Sequence, residues 1–325
     1  MNQSRRRILQ IAAGAAALPI LSRHASALDY PTRPVRIVLG FPPGGISDIQ
    51  GRLIAQWLSD RLGKSFFIDN HPGAAGNLGT QLVIRAQPDG YTLLYATAVN
   101  SWNTAIYNNL TFDFMRDLVP VASLSRAGGV MEVNLSFPAK SVPEFIAYAK
   151  ANPAKINMAT SGPGSPQHLW GELFKVMTGV DLLAVSYRGS ALALPDLMSG
   201  RVDVMFDPVA SSIDYIRAGK LRPLAVTTAA RLDVLPDTPA IGEFVPGYEA
   251  TGWGGLCAPV NTPPEIIAII NREVNAALAD ATFSKRLADL GSTPFASSPS
   301  EFGKFIVEYT DKWAKVIRAA GIKAE

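Results

Sequence analysis

The segment Phe41-Pro42-Pro43-Gly44-Gly45-Ile46-Ser47-Asp48 combines two prolines that stop a strand, two glycines that turn without a Cβ, and two residues able to cap a helix, Ser47 and Asp48. Such a turn points free backbone N–H groups and the positive end of a helix dipole at one spot, which suits an anion. A second segment, Thr160 to His168 (TSGPGSPQH), repeats the arrangement with Gly162, Gly164 and Ser165 ahead of a helix. Each turn alone is ordinarily just a well-made connection. Two of them, facing each other from two lobes, would hold one anion from both sides. Ser165 and His168 are also the pair that raises nucleophilic chemistry, because residues three apart meet on one helical turn. No Gly-x-Ser-x-Gly elbow accompanies them, and a serine at a helix start is more often a cap, so a hydrolase is the weaker reading.

A nucleotide is the rival anion. Neither loop ends in the Lys-Ser/Thr of a P-loop, and GPGSPQ lacks the third glycine of a dinucleotide fingerprint. Gly73, Gly76 and Gly79 in HPGAAGNLG miss that spacing too, and read as a turn with close helix packing. The chain has three histidines, His24, His71 and His168, and a single cysteine, Cys257. That inventory excludes an internal disulfide and argues against a metal cluster, so no cofactor and no metal site is expected.

The elements that must position these loops alternate. Val35 to Phe41 is an apolar, β-branched run, followed by Ile49, Leu53, Ile54, Trp57, Leu58 and Leu62 at helical spacing. Phe66 to Asn70 feeds a helix over Gly76 to Ala86, and Tyr91 to Thr97 is a third strand. Farther on, Ile156 to Thr160 feeds a helix from Ser165 to Met177, Leu183 to Tyr187 feeds one from Ala191 to Met198, and Val202 to Phe206 and Leu221 to Thr227 read as strands. Alternation of this kind predicts an α/β fold, a mostly parallel sheet with helices on both faces. Two long strand-like runs, Val119 to Val133 with Gly128-Gly129 and Tyr248 to Ala258 with three glycines, suggest two crossings between lobes. On that reading lobe 1 comprises 28–126 and 251–325, and lobe 2 comprises 127–250. The tail supplies amphipathic helices, one with Ile266, Ile269, Ile270 and Val274, another with Phe302, Ile306, Tyr309, Trp313, Val316 and Ile317, whose aromatics read as core.

The N-terminus reads as an address. Arg5, Arg6 and Arg7 precede an apolar run from Ile8 to Leu21 and a small-residue exit at Ala25-Ser26-Ala27, which predicts a signal peptide over 1–27. Paired arginines in SRRRILQ fit the twin-arginine route, with the Sec route as the alternative. With Arg5, Arg6, Arg7 and Arg23 removed, the formal charge moves from +3 to −1. A mature surface near neutrality gives no reason to expect a nucleic-acid or anionic-membrane partner. The expected product is a periplasmic protein, 48% hydrophobic over the whole sequence and long enough for two lobes.

From about Tyr30 onward the chain resembles the Bug receptors, the periplasmic binding components of tripartite tricarboxylate transporters. The resemblance is carried by YPTRPVRIVLGFPPGGISD, HPGAAGNLGT, QPDGYTLLYAT, FPAKSVPEFIAYAKANPAKINMATSG, HLWGELFK, VSYRGSALALPDLMSGRVDVMFD and GKLRPLAVTTAARLDVLPDTPAIGE, in the family's order. It implies a two-lobe, type II periplasmic binding fold, a small carboxylate as ligand, integral-membrane transporter subunits as transient partners, a monomer, and no catalysis. It also implies ligand contacts, held largely through backbone N–H groups and waters, at Phe41, Gly44, Gly45, Ser47 and Asp48 in the first loop and at Ser161, Gly164 and Ser165 in the second. Asn100, Tyr187, Gly189 and Asp207 fall near the family's cleft as well. The chain departs from the family pattern at His71, at Asn100-Ser101-Trp102-Asn103, at Gly162-Pro163-Gly164 and at Ser186-Tyr187-Arg188-Gly189. Trp102 and Pro163 are therefore candidates to reshape the pocket, Trp102 toward a flatter or bulkier carboxylate unless it is core. A receptor that presents the same solute to a signalling partner is the alternative role.

Overall fold

The computed structural model describes residues 29–107 and 109–323, so the leader read at 1–27 lies outside the described residues. Strand β1 (Val35–Leu39) leads through the Phe41 to Gly45 turn into helix α1 (Ile46–Leu62), followed by β2 (Phe66–Asn70), α2 (Asn77–Ile84), β3 (Thr92–Thr97) and α3 (Ala98–Ile106). A short helix α4 (Phe114–Asp117) precedes the 17-residue strand β4 (Leu118–Asn134). Then come α5 (Val142–Ala151), β5 (Ile156–Thr160), α6 (Pro166–Thr178), β6 (Leu182–Ser186), α7 (Ser190–Met198), β7 (Val204–Pro208), α8 (Val209–Arg217) and β8 (Leu221–Val226). The chain closes with β9 (Thr251–Pro259), α9 (Pro264–Ala279), α10 (Ala281–Asp289), β10 (Ser292–Pro294) and α11 (Pro299–Ala319). No helix among the described residues is long and apolar enough to cross a membrane.

The strands form one curled sheet in the order β2-β1-β3-β9-β4-β7-β5-β6, with β8 and β10 also paired to β4. The α/β class holds, and the outer strands are parallel: β1 with β2 and β3, β5 with β6 and β7. The inner strands are not. β9 runs antiparallel to β3 and β4, and β4 antiparallel to β7, β8 and β10, because each crossing strand returns the chain against the direction of the units it joins. Strand β4 changes partners at the glycine pair: Leu118 to Gly128 pair with β9, whereas Gly129 to Asn134 pair with β7 and β8. Thr227 ties this point to the residue that precedes β9. Its buried hydroxyl accepts from Gly129 N at 2.8 Å and donates to Ala250 O at 2.6 Å.

Local chemistry sets the helix ends. Helix α6 starts with Ser165 as N-cap and Pro166 at its first position, and stops at Gly179 in the left-handed region (φ 70°), where only a residue without a Cβ is unstrained. Helix α11 opens with a Ser298/Glu301 capping box and buries Phe302, Ile306, Tyr309, Trp313, Val316 and Ile317, the stripe the sequence spacing marks out. Trp102 is core: it is fully buried, with its ring centroid 5.9 Å from Tyr309 and 5.4 Å from Trp313. The glycines of HPGAAGNLG serve packing, as their spacing suggests. A Cβ on Gly40, at the exit of β1, would lie 2.6 Å from the Gly76 Cα, and one on Gly79 would lie 3.0 Å from the Gly40 Cα.

Candidate functional site

Four helices begin at the ends of strands that point to the same place. Ile46 and Ser47 open α1, Ala98 and Val99 open α3, Pro166 opens α6, and Pro208 precedes α8; all six residues line one cavity of about 200 Å³. Its floor is β4 and β9, through Ser125, Ala127, Gly252 and Gly254, and Phe41, Tyr95 and Trp170 add aromatic surface. None of the lining side chains is charged. The first N–H groups of a helix have no intrahelical carbonyl to donate to, so convergent helix starts concentrate hydrogen-bond donors and positive dipole ends. An anion is the ligand such a wall solvates, provided no carboxylate of the protein competes.

The first loop is braced from behind. The Asp48 Oδ1 accepts from Arg52 Nη2 and Asn70 Nδ2, each at 3.0 Å, and its Oδ2 accepts from Gly44 N and Arg52 Nε, each at 3.0 Å. Asn70 Nδ2 also donates to Phe41 O at 3.0 Å. Burial would raise the Asp48 carboxyl, but the hydrogen bonds from Arg52, Gly44 and Asn70 outweigh it and hold the group below the ordinary carboxylate range. Asp48 and Gly44 therefore shape the turn, Gly45 is the N-cap of α1, and Phe41 and Ser47 reach the cavity wall. Asp48→Ala is expected to cost about 2–3 kcal/mol, since it strips charge-assisted bonds from Gly44 and Asn70 and leaves Arg52 with only its bond to Asn70 Oδ1. Denaturant unfolding measures it. Because the native value is lowered, this stabilisation is present above the unfolded carboxyl pKa and is lost as the pH falls through the native one.

The second loop is placed less directly. Ser165 Oγ accepts from His168 N at 3.3 Å, which makes it the cap of α6, and Gly164 N donates to His168 Nδ1 at 3.2 Å. The imidazole is thus engaged by the loop backbone through Nδ1, with Nε2 3.7 Å from Glu172 Oε1, and no hydrogen bond links it to the Ser165 hydroxyl. Burial keeps the His168 ring below its ordinary pKa, with Glu172 opposing that shift. Gly164 is left-handed (φ 72°), and a Cβ there would lie 2.5 Å from Ile106 Cδ1 on α3. The Ser161 hydroxyl is buried and makes no hydrogen bond among the described residues. None of Ser161, Gly164 and Ser165 lines the cavity; their neighbour Pro166 does.

The remaining residues named from the resemblance are engaged elsewhere. Asn100 Oδ1 accepts from Thr97 N at 2.8 Å and Thr97 Oγ1 at 2.9 Å, and its Nδ2 donates to Thr80 Oγ1 at 3.0 Å, so this amide caps α3 and leaves the wall to Ala98 and Val99. The Tyr187 hydroxyl donates to Asp196 Oδ2 at 2.9 Å, and Gly189 (φ 110°) is the N-cap of α7. Asp207 is fully buried, one residue before Pro208. Its Oδ1 accepts from Ser190 Oγ at 2.5 Å and Gln167 Nε2 at 3.1 Å, and its Oδ2 is 2.9 Å from Ser212 Oγ. Ser212 Oγ is also 2.6 Å from Glu132 Oε1, so one hydroxyl bridges two buried carboxyl groups. Burial, then the Asp207 charge, push the Glu132 carboxyl well above its ordinary value, and burial pushes Asp207 up to about 6.

Residues that sequence reasoning missed supply most of the wall. Tyr95 Oη and Ser125 Oγ both donate to Gln50 Oε1, at 2.9 and 2.8 Å, and Gln50 Nε2 donates to Ser292 Oγ at 2.8 Å, which closes a polar network under the first loop. Trp170, 1% exposed, lies against Gly129, where a Cβ would come within 2.3 Å of its ring, and its indole N–H finds no acceptor among the described residues. Cys257 on β9 is buried, and burial pushes its thiol up to about 12. No cluster of His, Cys, Asp and Glu among the described residues is arranged to hold a metal ion.

Two α/β halves joined by crossing strands, with an uncharged cavity at facing helix starts, define a solute-binding protein of the two-lobe, type II periplasmic class. The model of the tripartite tricarboxylate transporter family receptor matches residues 51–322, and the chain belongs to that family, whose members are receptors and not enzymes. Among its relatives, BugT of Bordetella pertussis is 33% identical over 301 residues, 92% of each chain. The solved structure of R. palustris Rpa4515 with adipate is 39% identical, with a TM-score of 0.81 over 90% of this chain and 99% of that one. MatC from Rhodopseudomonas palustris with bound malate is 31% identical, with a TM-score of 0.77 over 89% and 100%.

Proposed function

We propose that this chain is a receptor that captures a small organic carboxylate in the periplasm and passes it to the membrane subunits of a tripartite transporter. The observation that carries the reading is the convergence of helix starts on one cavity without a charged lining side chain, with the N–H groups of Ile46, Ser47, Ala98 and Val99 on one side of it. Adipate and malate, bound by the relatives Rpa4515 and MatC, are both carboxylates. On this reading the mature protein begins after Ala27, exported through its Arg5-Arg6 pair, and acts as a monomer. Its lobes are 28–126 with 251–325, and 127–250. Phe41, Gly44, Gly45, Ser47 and Asp48 form the primary carboxylate loop, with Asn100, Ser161, Gly164, Ser165, Tyr187, Gly189 and Asp207 supporting the cleft. A thermal-shift screen of organic acids supplies the ligand, since one present at about 100 times its Kd adds roughly 2.7 kcal/mol of stability.

Ser47→Asp tests the placement. Ser47 stands in the first turn of α1, where an added carboxylate favours the helix dipole, so the unliganded protein keeps its stability to within about 1 kcal/mol. The new side chain occupies the donors and repels an anion, and affinity is expected to fall about tenfold or more, about 1.4 kcal/mol. Calorimetric titration with the best acid of the screen decides it. Unchanged affinity in a folded variant places the carboxylate elsewhere.

A further inference from the structure

The two walls of the cavity are chemically unlike. Ile46, Ser47, Ala98 and Val99 bring helix-start N–H groups and one hydroxyl from the first half of the sheet. The facing wall is Pro166, Trp170 and Pro208. Proline has no N–H, so the very positions at which α6 and α8 turn toward the cavity offer no backbone donor there. Trp170 presents a ring, and no Lys, Arg or His lines either wall. The polar groups deeper in the floor are already committed, because Gln50 Oε1 takes both the Tyr95 and the Ser125 hydroxyl protons.

We infer that, within the carboxylate reading above on which this rests, the site is built for an aromatic monocarboxylate. Its single anionic group sits at the α1 and α3 starts, and its flat apolar body lies against Pro166, Trp170 and Pro208. The volume agrees: an apolar protein cavity of about 150 Å³ accepts benzene, and about 200 Å³ leaves room for the same ring with a carboxylate attached. A second carboxylate, as in a dicarboxylic acid, would reach a wall where Pro166 and Pro208 have no N–H and the Trp170 indole N–H is buried, and an ion stripped of water without a partner is strongly disfavoured.

Calorimetric titration of the mature protein with benzoate, adipate and malate tests this. Benzoate is expected to bind at least about tenfold more tightly than either diacid, a modest demand for one unpaired carboxylate. Adipate or malate binding as tightly as benzoate overturns the monocarboxylate assignment and leaves the carboxylate reading standing. Failure of benzoate to bind overturns the aromatic assignment, and the carboxylate reading falls only if no acid of the thermal-shift screen binds. Pro166→Ala supplies the missing N–H at the first position of α6, and is expected to narrow the preference for benzoate over adipate by strengthening adipate alone. A preference unchanged in a folded Pro166→Ala protein shows that the donor-poor wall does not set the selectivity, and overturns the inference.

Discussion

Gly129→Ala should destabilise the protein by about 3 kcal/mol, the upper range for forcing one extra carbon into a packed interior. The added Cβ would lie 2.3 Å from Trp170 Cζ3, 2.6 Å from its Cε3 and 3.1 Å from Asp207 O. A rigid, fully buried indole gives way only by moving as a whole, and the carbonyl belongs to β7, which pairs with β4 at this residue. The space the ring can enter is the cavity it lines, so ligand affinity should fall together with stability. Denaturant unfolding and titration measure the two effects. Replacing Trp170 by Leu in the same protein should recover part of the loss, so that the double variant is at least about 1 kcal/mol more stable than the sum of the single changes. Strict additivity would mean that the clash is relieved in some other direction.

The second large effect is a pH dependence with an unusual sign. Most carboxylates are stabilised on folding, so most proteins lose stability in acid. Glu132 and Asp207 are fully buried, share the Ser212 hydroxyl and, among the described residues, form no ion pair with a cation. Both are pushed upward, Asp207 to about 6 and Glu132 well above its ordinary value. A group whose native pKa is raised binds more protons folded than unfolded. Its favourable contribution is therefore complete below the unfolded value and is lost as the pH climbs through the native one. Between the ordinary carboxyl range and pH 8 this pair should make the protein steadily less stable. Glu132→Gln keeps the shape, removes the shared-proton requirement, and should flatten that decline. At pH 8 the variant should exceed the parent by about 1 kcal/mol or more, the scale set by a carboxyl raised by one pH unit. Thermal unfolding of parent and variant from pH 5 to 8 reads the difference. Parallel curves would show that the pair carries no extra proton.

The outer parts of the sheet were legible because parallel strands buried on both faces read as apolar runs, such as Val35–Leu39 and Ile156–Thr160, bounded by glycines. The change of strand partners at Gly128-Gly129 falls inside a strand-like run whose unusual length and glycine pair set it apart in the sequence. What escaped were the helices that start without a turn. Thr97 ends β3 and Ala98 begins α3, and Pro208 ends β7 and Val209 begins α8, so neither junction carries the glycine turn that announced α1 and α6. Two of the four walls of the cavity were hidden by that directness. A trace did exist at the first of them, since Thr97 and Asn100 form a capping box three residues apart. Trp170 escaped for a different reason. A tryptophan on the buried stripe of a helix looks like core from its spacing, and only the fold shows that the core it belongs to borders a cavity. Asp48 and Asn100 show the converse, side chains at cleft positions whose polar atoms are consumed in holding backbone.

The lone thiol of the sequence, Cys257, has a practical consequence for optical work on this protein. A thiol that is shut away from solvent and ionises only near pH 12 does not compete for maleimide dyes at neutral pH, since the thiolate is the reacting form. Cysteines can therefore be introduced for labelling without first removing the native one. Phe67 on β2 and Leu183 on β6 are 44% and 45% exposed, and their strands are the two ends of the sheet order. Dyes attached through Phe67→Cys and Leu183→Cys would sit on the two end strands of the sheet, on a scaffold whose own thiol stays dark.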